Sequence, residues 1–151
     1  MPAQIDIKEV HWLLDIVQCI DVGVIVLDRQ FCVEVWNSFM ENHSGMGPDE
    51  VQGKSLFALF PEIDVEWFKR KVDTVVQLGT RAFSLWEQRP YLMHFKSYQP
   101  ITGQEDFMYQ NVTLLQLAAS HGKVEHICVV VYDMTAAATH KRQLAAIDRR
   151  S

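Results

Sequence analysis

Cysteine is scarce in this chain: Cys19, Cys32 and Cys128 are the only three, odd in number and far apart in apolar segments. No Cys-x-x-Cys pair is present, so the pattern suits reduced, buried thiols of the cytosol rather than a disulfide framework or a zinc site. Apolar runs are short, and none approaches the roughly 20 residues that a membrane span needs. A basic stretch ahead of an apolar core is missing from the N-terminus, so no signal peptide is expected. Positive charge is also short: 14 Lys and Arg against 19 Asp and Glu leave a formal charge of −5, which argues against a nucleic-acid-binding face. The six histidines are scattered, with no His-x-x-x-His pair and no Glu-x-x-His pair on a helix. Neither a Gly-x-Ser-x-Gly elbow nor a phosphate-cradling glycine loop occurs. His43 stands near Glu41 and Asp49, but a solvated loop accounts for that cluster. Catalysis within this chain is not expected.

What is present is a well-punctuated order of elements. At 151 residues, 48% of them hydrophobic, the chain suits one globular domain. Val10, Leu13, Leu14, Val17 and Ile20 recur at helical spacing and predict an amphipathic helix over Ile5 to Ile20. Val22 to Leu27 and Phe31 to Trp36 read as two strands around the turn Asp28-Arg29-Gln30. Short helical pieces follow at Ser38 to Gly45 and Asp49 to Phe60, broken by Gly45, Gly47, Pro48 and Gly53. Asp64 then caps a longer helix with Val65, Phe68, Val72, Val75 and Val76 on its apolar face, and Gly79 stops it. Arg81 to Gln88, Phe107 to Leu117 and Val124 to Tyr132 are strand-rich, the last nearly continuous in apolar residues and therefore central. Between the first two lies a long aromatic segment with Pro100 and Gly103 as turn residues, and Ser120-His121-Gly122-Lys123 makes the last hairpin turn. Thr135 caps a final helix carrying Ala137, Leu144 and Ile147. The fold class is α+β, an antiparallel sheet with helices on one face.

Five short stretches in this order carry a family resemblance. "VGVIVLD", ending in Asp28, and "VEVWN", ending in Asn37, look like the first two strands of the PAS sensor domain. "ENHSG" looks like its short helix, "EVQGKSLFALFP" like the segment before its long helix, and "VVVYDMT" like its terminal strand with Asp133-Met134-Thr135. The resemblance covers about residues 10 to 140 and implies a five-stranded antiparallel sheet. The segment "QRPYLMHFKSYQPITGQEDFMYQNVTLLQL" is similar to PAS domains that precede GGDEF-type diguanylate cyclase domains in bacteria. That likeness implies a non-catalytic, cytoplasmic sensory input that regulates an output domain further along the chain. It divides the sequence into an N-terminal dimerisation helix (1–20), the PAS domain (21–135) and the start of a signalling helix (136–151). The last stretch stops without a helix C-cap signal, so the sequence is expected to be cut from a longer protein.

For Asp28 and Asn37 the expected roles are turn and cap chemistry. A ligand pocket between the long helix and the inner sheet face is what the resemblance implies, and Trp67, Phe68, Trp86, Tyr91, Phe95, Tyr109 and Asn111 are its candidate lining. Arg89 and His94 are the candidate polar groups; the alternative is that the aromatics simply fill the core. A buried Arg89 would need an anion, either Glu87, Glu62 or a carboxylate on a ligand. The cofactor is left open. The flavin-adduct motif Asn-Cys-Arg-Phe is absent from "EIDVEWFKRK", and His94, with Met93 and Met108 as soft companions, is the one candidate haem ligand. A haem or redox sensor and a filled-core dimerisation module are the alternative readings. Asp133 and Thr135 are the candidate signal-transmitting residues, and the expected partners are a second copy of the chain and the output domain.

Overall fold

The computed structural model describes residues 7–96, 107–118 and 124–150. The expected turn at Ser120 to Lys123, and Pro100 and Gly103 of the aromatic segment, lie outside these residues. In chain order the elements are α1 (Ile7–Cys19), β1 (Gly23–Asp28), β2 (Val33–Trp36), α2 (Ser38–Ser44), α3 (Pro48–Val51), α4 (Leu56–Leu59), α5 (Val65–Leu78), β3 (Ala82–Ser84), β4 (Gln110–Ala118), β5 (Val124–Asp133) and α6 (Thr135–Arg150). The strands form one antiparallel sheet in the order β2-β1-β5-β4-β3, with β5 at its centre as its apolar run predicts. The α+β architecture is thus the expected one.

Strand periodicity decides what the sheet buries. Ile25 and Leu27 of β1, Ile127, Val129 and Val131 of β5, and Val112 and Leu114 of β4 point to the helical side and are buried. Phe68, Val72 and Val75 of α5 meet them, one helical turn apart. Burial of a side chain the size of Phe68 contributes about 2–3 kcal/mol. Asp64 caps α5, its Oδ1 accepting from the Trp67 amide at 3.1 Å, and Gly79 ends it in the left-handed region with φ 66°. At the β1–β2 connection Asp28 Oδ1 accepts from the amides of Gln30 and Cys32, both at 2.9 Å. That turn holds Phe31 at φ 64°, an unusual conformation for a bulky residue, with its ring packed on Phe57 and Phe68.

Two strands differ from the sequence expectation. Only Ala82 to Ser84 of the expected strand Arg81 to Gln88 pairs with β4. Beyond it the chain turns, with the amides of Gln88 and Arg89 donating to Leu85 O at 3.0 and 2.9 Å, while Asn111 Oδ1 takes the Trp86 amide at 2.8 Å. Strand β4 begins at Gln110, because Phe107 makes only an isolated bridge to Lys96. The helical stretch Asp49 to Phe60 is broken at Gly53, as expected, into α3 and α4. Gly53 and Lys54 leave the helix between them to exchange backbone hydrogen bonds with Val33.

Candidate functional site

The nine candidate pocket residues fall into three groups. Phe68 and Phe95 lie in the core at 0% and 2% exposure, with Phe60 edge-on to Phe95 at 5.8 Å. Met40, Met93 and Met108 are buried in the same cluster.

Trp67 and Arg89 form the second group, partly exposed at the start of α5. The Arg89 guanidinium lies 4.2 Å from the centre of the Trp67 ring, and its Nη2 is 3.5 Å from Asp64 Oδ2. The carboxylate that meets Arg89 is therefore the helix cap Asp64, rather than either of the two acids named from sequence. Glu87 pairs with Lys141, and Glu62 Oε2 accepts from the His94 amide at 2.8 Å. A guanidinium carries five N–H donors, and the single contact to Asp64 leaves Arg89 capacity for a ligand carboxylate.

The third group is a row of rings. Trp86 meets Tyr109 at 5.5 Å, Tyr109 meets Phe107 at 4.8 Å, Phe107 meets Tyr91 at 5.2 Å, and Tyr91 meets His94 at 5.1 Å. Asn111 joins this row through the Trp86 amide. His94 is on the exposed side of the row, whereas Met93 and Met108 face the core. Among the described residues no group of three or more His, Cys, Asp or Glu side chains gathers in metal-ligand fashion. Burial pushes the Cys128 thiol up, which holds it protonated and a poor nucleophile.

One organising residue was not anticipated. Gln110, 1% exposed, accepts from the amides of Leu92 and Met93 through Oε1 and donates to Met93 O through Nε2. Its amide thereby pins the start of the aromatic segment to the first residue of β4. The only hint in the sequence is an amide side chain at the head of a strand whose alternate residues, Val112 and Leu114, are apolar.

At the other end of β5 the exit corner departs from the expected Thr135 cap, because Thr135 is itself the first residue of α6 and its hydroxyl is taken by Asp133 and Tyr109 rather than by an amide of the helix. Asp133 Oδ1 accepts from the Thr135 amide at 3.0 Å and from its hydroxyl at 2.6 Å. The Thr135 hydroxyl in turn accepts from the Tyr109 amide at 3.2 Å, and Met134 N donates to Tyr109 O at 2.7 Å. Farther along α6, Lys141 pairs with Glu87 and lies 5.5 Å from the Trp86 ring. Arg142 donates to the Tyr109 hydroxyl and lies 5.4 Å from its ring. Tyr109 is thus held by the exit corner at its backbone and by the exit helix at its ring. The cationic pair on α6 was missed from sequence, because nothing local says which rings it covers.

No described helix is long and apolar enough to cross a membrane. No curated protein matches the chain. Among solved structures it is similar to a sensory-box sensor histidine kinase of Vibrio cholerae, at 28% identity and TM-score 0.58, covering 83% of this chain and 92% of that one. The PAS domain of a Colwellia psychrerythraea protein matches at 12% identity and TM-score 0.63, covering 84% and 98%. The PAS domain of Bordetella pertussis BvgS matches at 14% identity and TM-score 0.61, covering 95% and 99%. Those last two likenesses concern the fold alone. The family model of the PAS fold, PAS_4, matches residues 18–139, from the end of α1 into α6. This chain belongs to the PAS fold family.

Proposed function

We propose that this PAS domain is a cytoplasmic, non-catalytic input module that binds a small organic acid near Arg89 and passes its state through α6 to a C-terminal output domain. The observation that carries the reading is the position of Tyr109. Its ring belongs to the aromatic row that contains the candidate lining residues Trp86, Tyr91 and His94, its amide donates to Thr135, and its hydroxyl accepts from Arg142 of α6. A ligand that displaces the row shifts the equilibrium of α6 only by its differential affinity for the two arrangements. The likeness of residues 88–117 to domains that precede GGDEF modules makes a diguanylate cyclase the proposed output. Exposed Trp12, Leu13, Leu14 and Ile16 on α1 support a homodimer built on that helix.

The test joins two measurements. Native mass spectrometry of the purified domain, followed by a thermal-shift screen of organic acids, identifies a ligand that stabilises the folded state. Arg89→Ala should abolish that shift. In the protein carrying its output domain, Asp133→Ala should leave ligand affinity unchanged and uncouple output from ligand. A ligand whose affinity ignores Arg89→Ala refutes the site, and regulated output in Asp133→Ala refutes the route. Sedimentation of a chain starting at Asp21 should show loss of dimer.

A further inference from the structure

A second feature lies along the long helix and shares only Trp67 with the site proposed above. Trp67, Arg70, Lys71 and Thr74 are spaced i, i+3, i+4 and i+7, which places them on one stripe of α5. Arg81, Ala82 and Phe83 of the edge strand β3 and its approach run alongside that stripe. Together these seven residues line a groove of about 480 Å³, within the range of small-molecule sites. Its chemistry is unlike that of the surrounding surface. Three of the seven lining residues are cations and none is a carboxylate, in a chain whose formal charge is −5. Among the described residues Arg70, Lys71 and Arg81 have no ion-pair partner, whereas Arg89, Lys141 and His126 each have one. Three cations held within one groove without counter-charge repel one another, and an anion of more than one charge relieves that repulsion. The remaining walls are aromatic: the Trp67 indole, and the Phe83 ring at 57% exposure. An exposed ring beside unpaired guanidinium groups is the combination that takes a planar group and an attached polyanion together.

We propose that the α5–β3 groove binds a phosphorylated planar small molecule of the nucleoside-phosphate class, with its phosphates on Arg70, Lys71 and Arg81 and its base against Phe83 and Trp67. Arg89 does not line the groove. The two sites share Trp67, whose ring Arg89 covers, and are distinguished by Arg70, Arg81 and Phe83, which belong to the groove alone.

Calorimetric titration of the purified chain with ATP, adenosine and inorganic triphosphate, without added metal, tests the assignment. ATP should bind at one site and weaken as salt rises to about 0.15 M. Adenosine and triphosphate should each bind at least about tenfold more weakly. Arg70→Gln/Arg81→Gln should weaken ATP at least about tenfold, as should Phe83→Ser, the variant that leaves every charge in place. Arg29→Gln/Lys54→Gln removes the same charge elsewhere and should change ATP affinity by less than about twofold. Absence of ATP binding, or equal weakening by the two double variants, overturns the site. Triphosphate binding as tightly as ATP, or Phe83→Ser without effect, overturns the planar half of the assignment.

Discussion

Two strand-to-helix corners in this domain use the same chemistry and differ in burial. Where β2 runs into α2, Asn37 is 0% exposed and satisfies its whole amide. Its Oδ1 accepts from the amides of Val24 and Met40, and its Nδ2 donates to the carbonyls of Val17 and Val22 at 2.9 and 2.8 Å. One side chain thereby ties together α1, β1 and α2. The helix that follows buries Phe39 and Met40. Where β5 runs into α6, Asp133 is exposed and Thr135 alone is buried. The helix that follows buries Ala138 and is otherwise held by exposed cations on Glu87, Trp86 and Tyr109. Solvent-screened pairs of that kind contribute little each. Low burial places the second corner and its helix at the low-stability end of the molecule, where an input can move a helix without unfolding the domain.

The comparison breaks first at Asn37. Asn37→Ala leaves two amides and two carbonyls without their side-chain partner in a buried place, and should cost about 3 kcal/mol or more by chemical denaturation. A loss below about 1 kcal/mol would mean that water reaches the corner and that the two corners are alike. Gly23, next in size, lies directly under this corner. A Cβ built there sits 2.6 Å from Met40 Sδ and 3.1 Å from Val131 Cβ. Gly23→Ala should cost about 2 kcal/mol through overpacking, with partial recovery in a Met40→Ala background. A smaller effect is expected at the exit. Thr135→Val keeps shape and burial but removes the acceptor of the Tyr109 amide, and should cost about 1–2 kcal/mol. Amide exchange should then quicken in α6 and not in α2; equal quickening in both would show that the corners open together.

The parts of this picture that depend on a residue and its nearest neighbours were legible in the sequence. Asp28 in the turn, Asn37 and Asp64 as caps and Gly79 as a helix stop all act within four residues of their own position. The centrality of β5 was legible as well, in its nearly continuous apolar run, although only alternate residues of that run are fully buried. What required the fold was which distant group comes to meet a side chain. Strand β3 stops at Ser84 because Asn111, 25 residues further on, takes the Trp86 amide. Arg89 meets Asp64 because a turn folds Leu85 to Arg89 back over the start of α5. Gln110 looks like any polar strand residue until the aromatic segment is laid across it. The candidate site residues were chosen by type, and type does not say that Phe68 and Phe95 face the core while Trp86 and Tyr109 meet α6.

The smallest effect concerns His43, which links the two corners. It lies on α2, its ring 4.3 Å from Phe39 and 6.1 Å from Phe95, close enough to Asp133 and Asp21 to feel both charges. Burial lowers its pKa from the ordinary 6.5, and the two carboxylates oppose that lowering without cancelling it. Because the folded form binds the proton less readily than the unfolded chain, the stabilising difference is fully present above about 6.5 and is lost as pH falls toward the folded value. Stability should therefore decline between about pH 7 and pH 5.5, ahead of the carboxylates. His43→Gln should flatten that interval in a denaturation series. If the slope is the same in His43→Gln, the histidine contributes nothing to it. Asp133→Asn gives the sharper measurement. It removes a charge that favours the imidazolium, so the NMR titration of His43 should move further down while the Asn37 network stays intact. An unmoved titration would separate the corners electrically, leaving Tyr109 as the route between interior and exit.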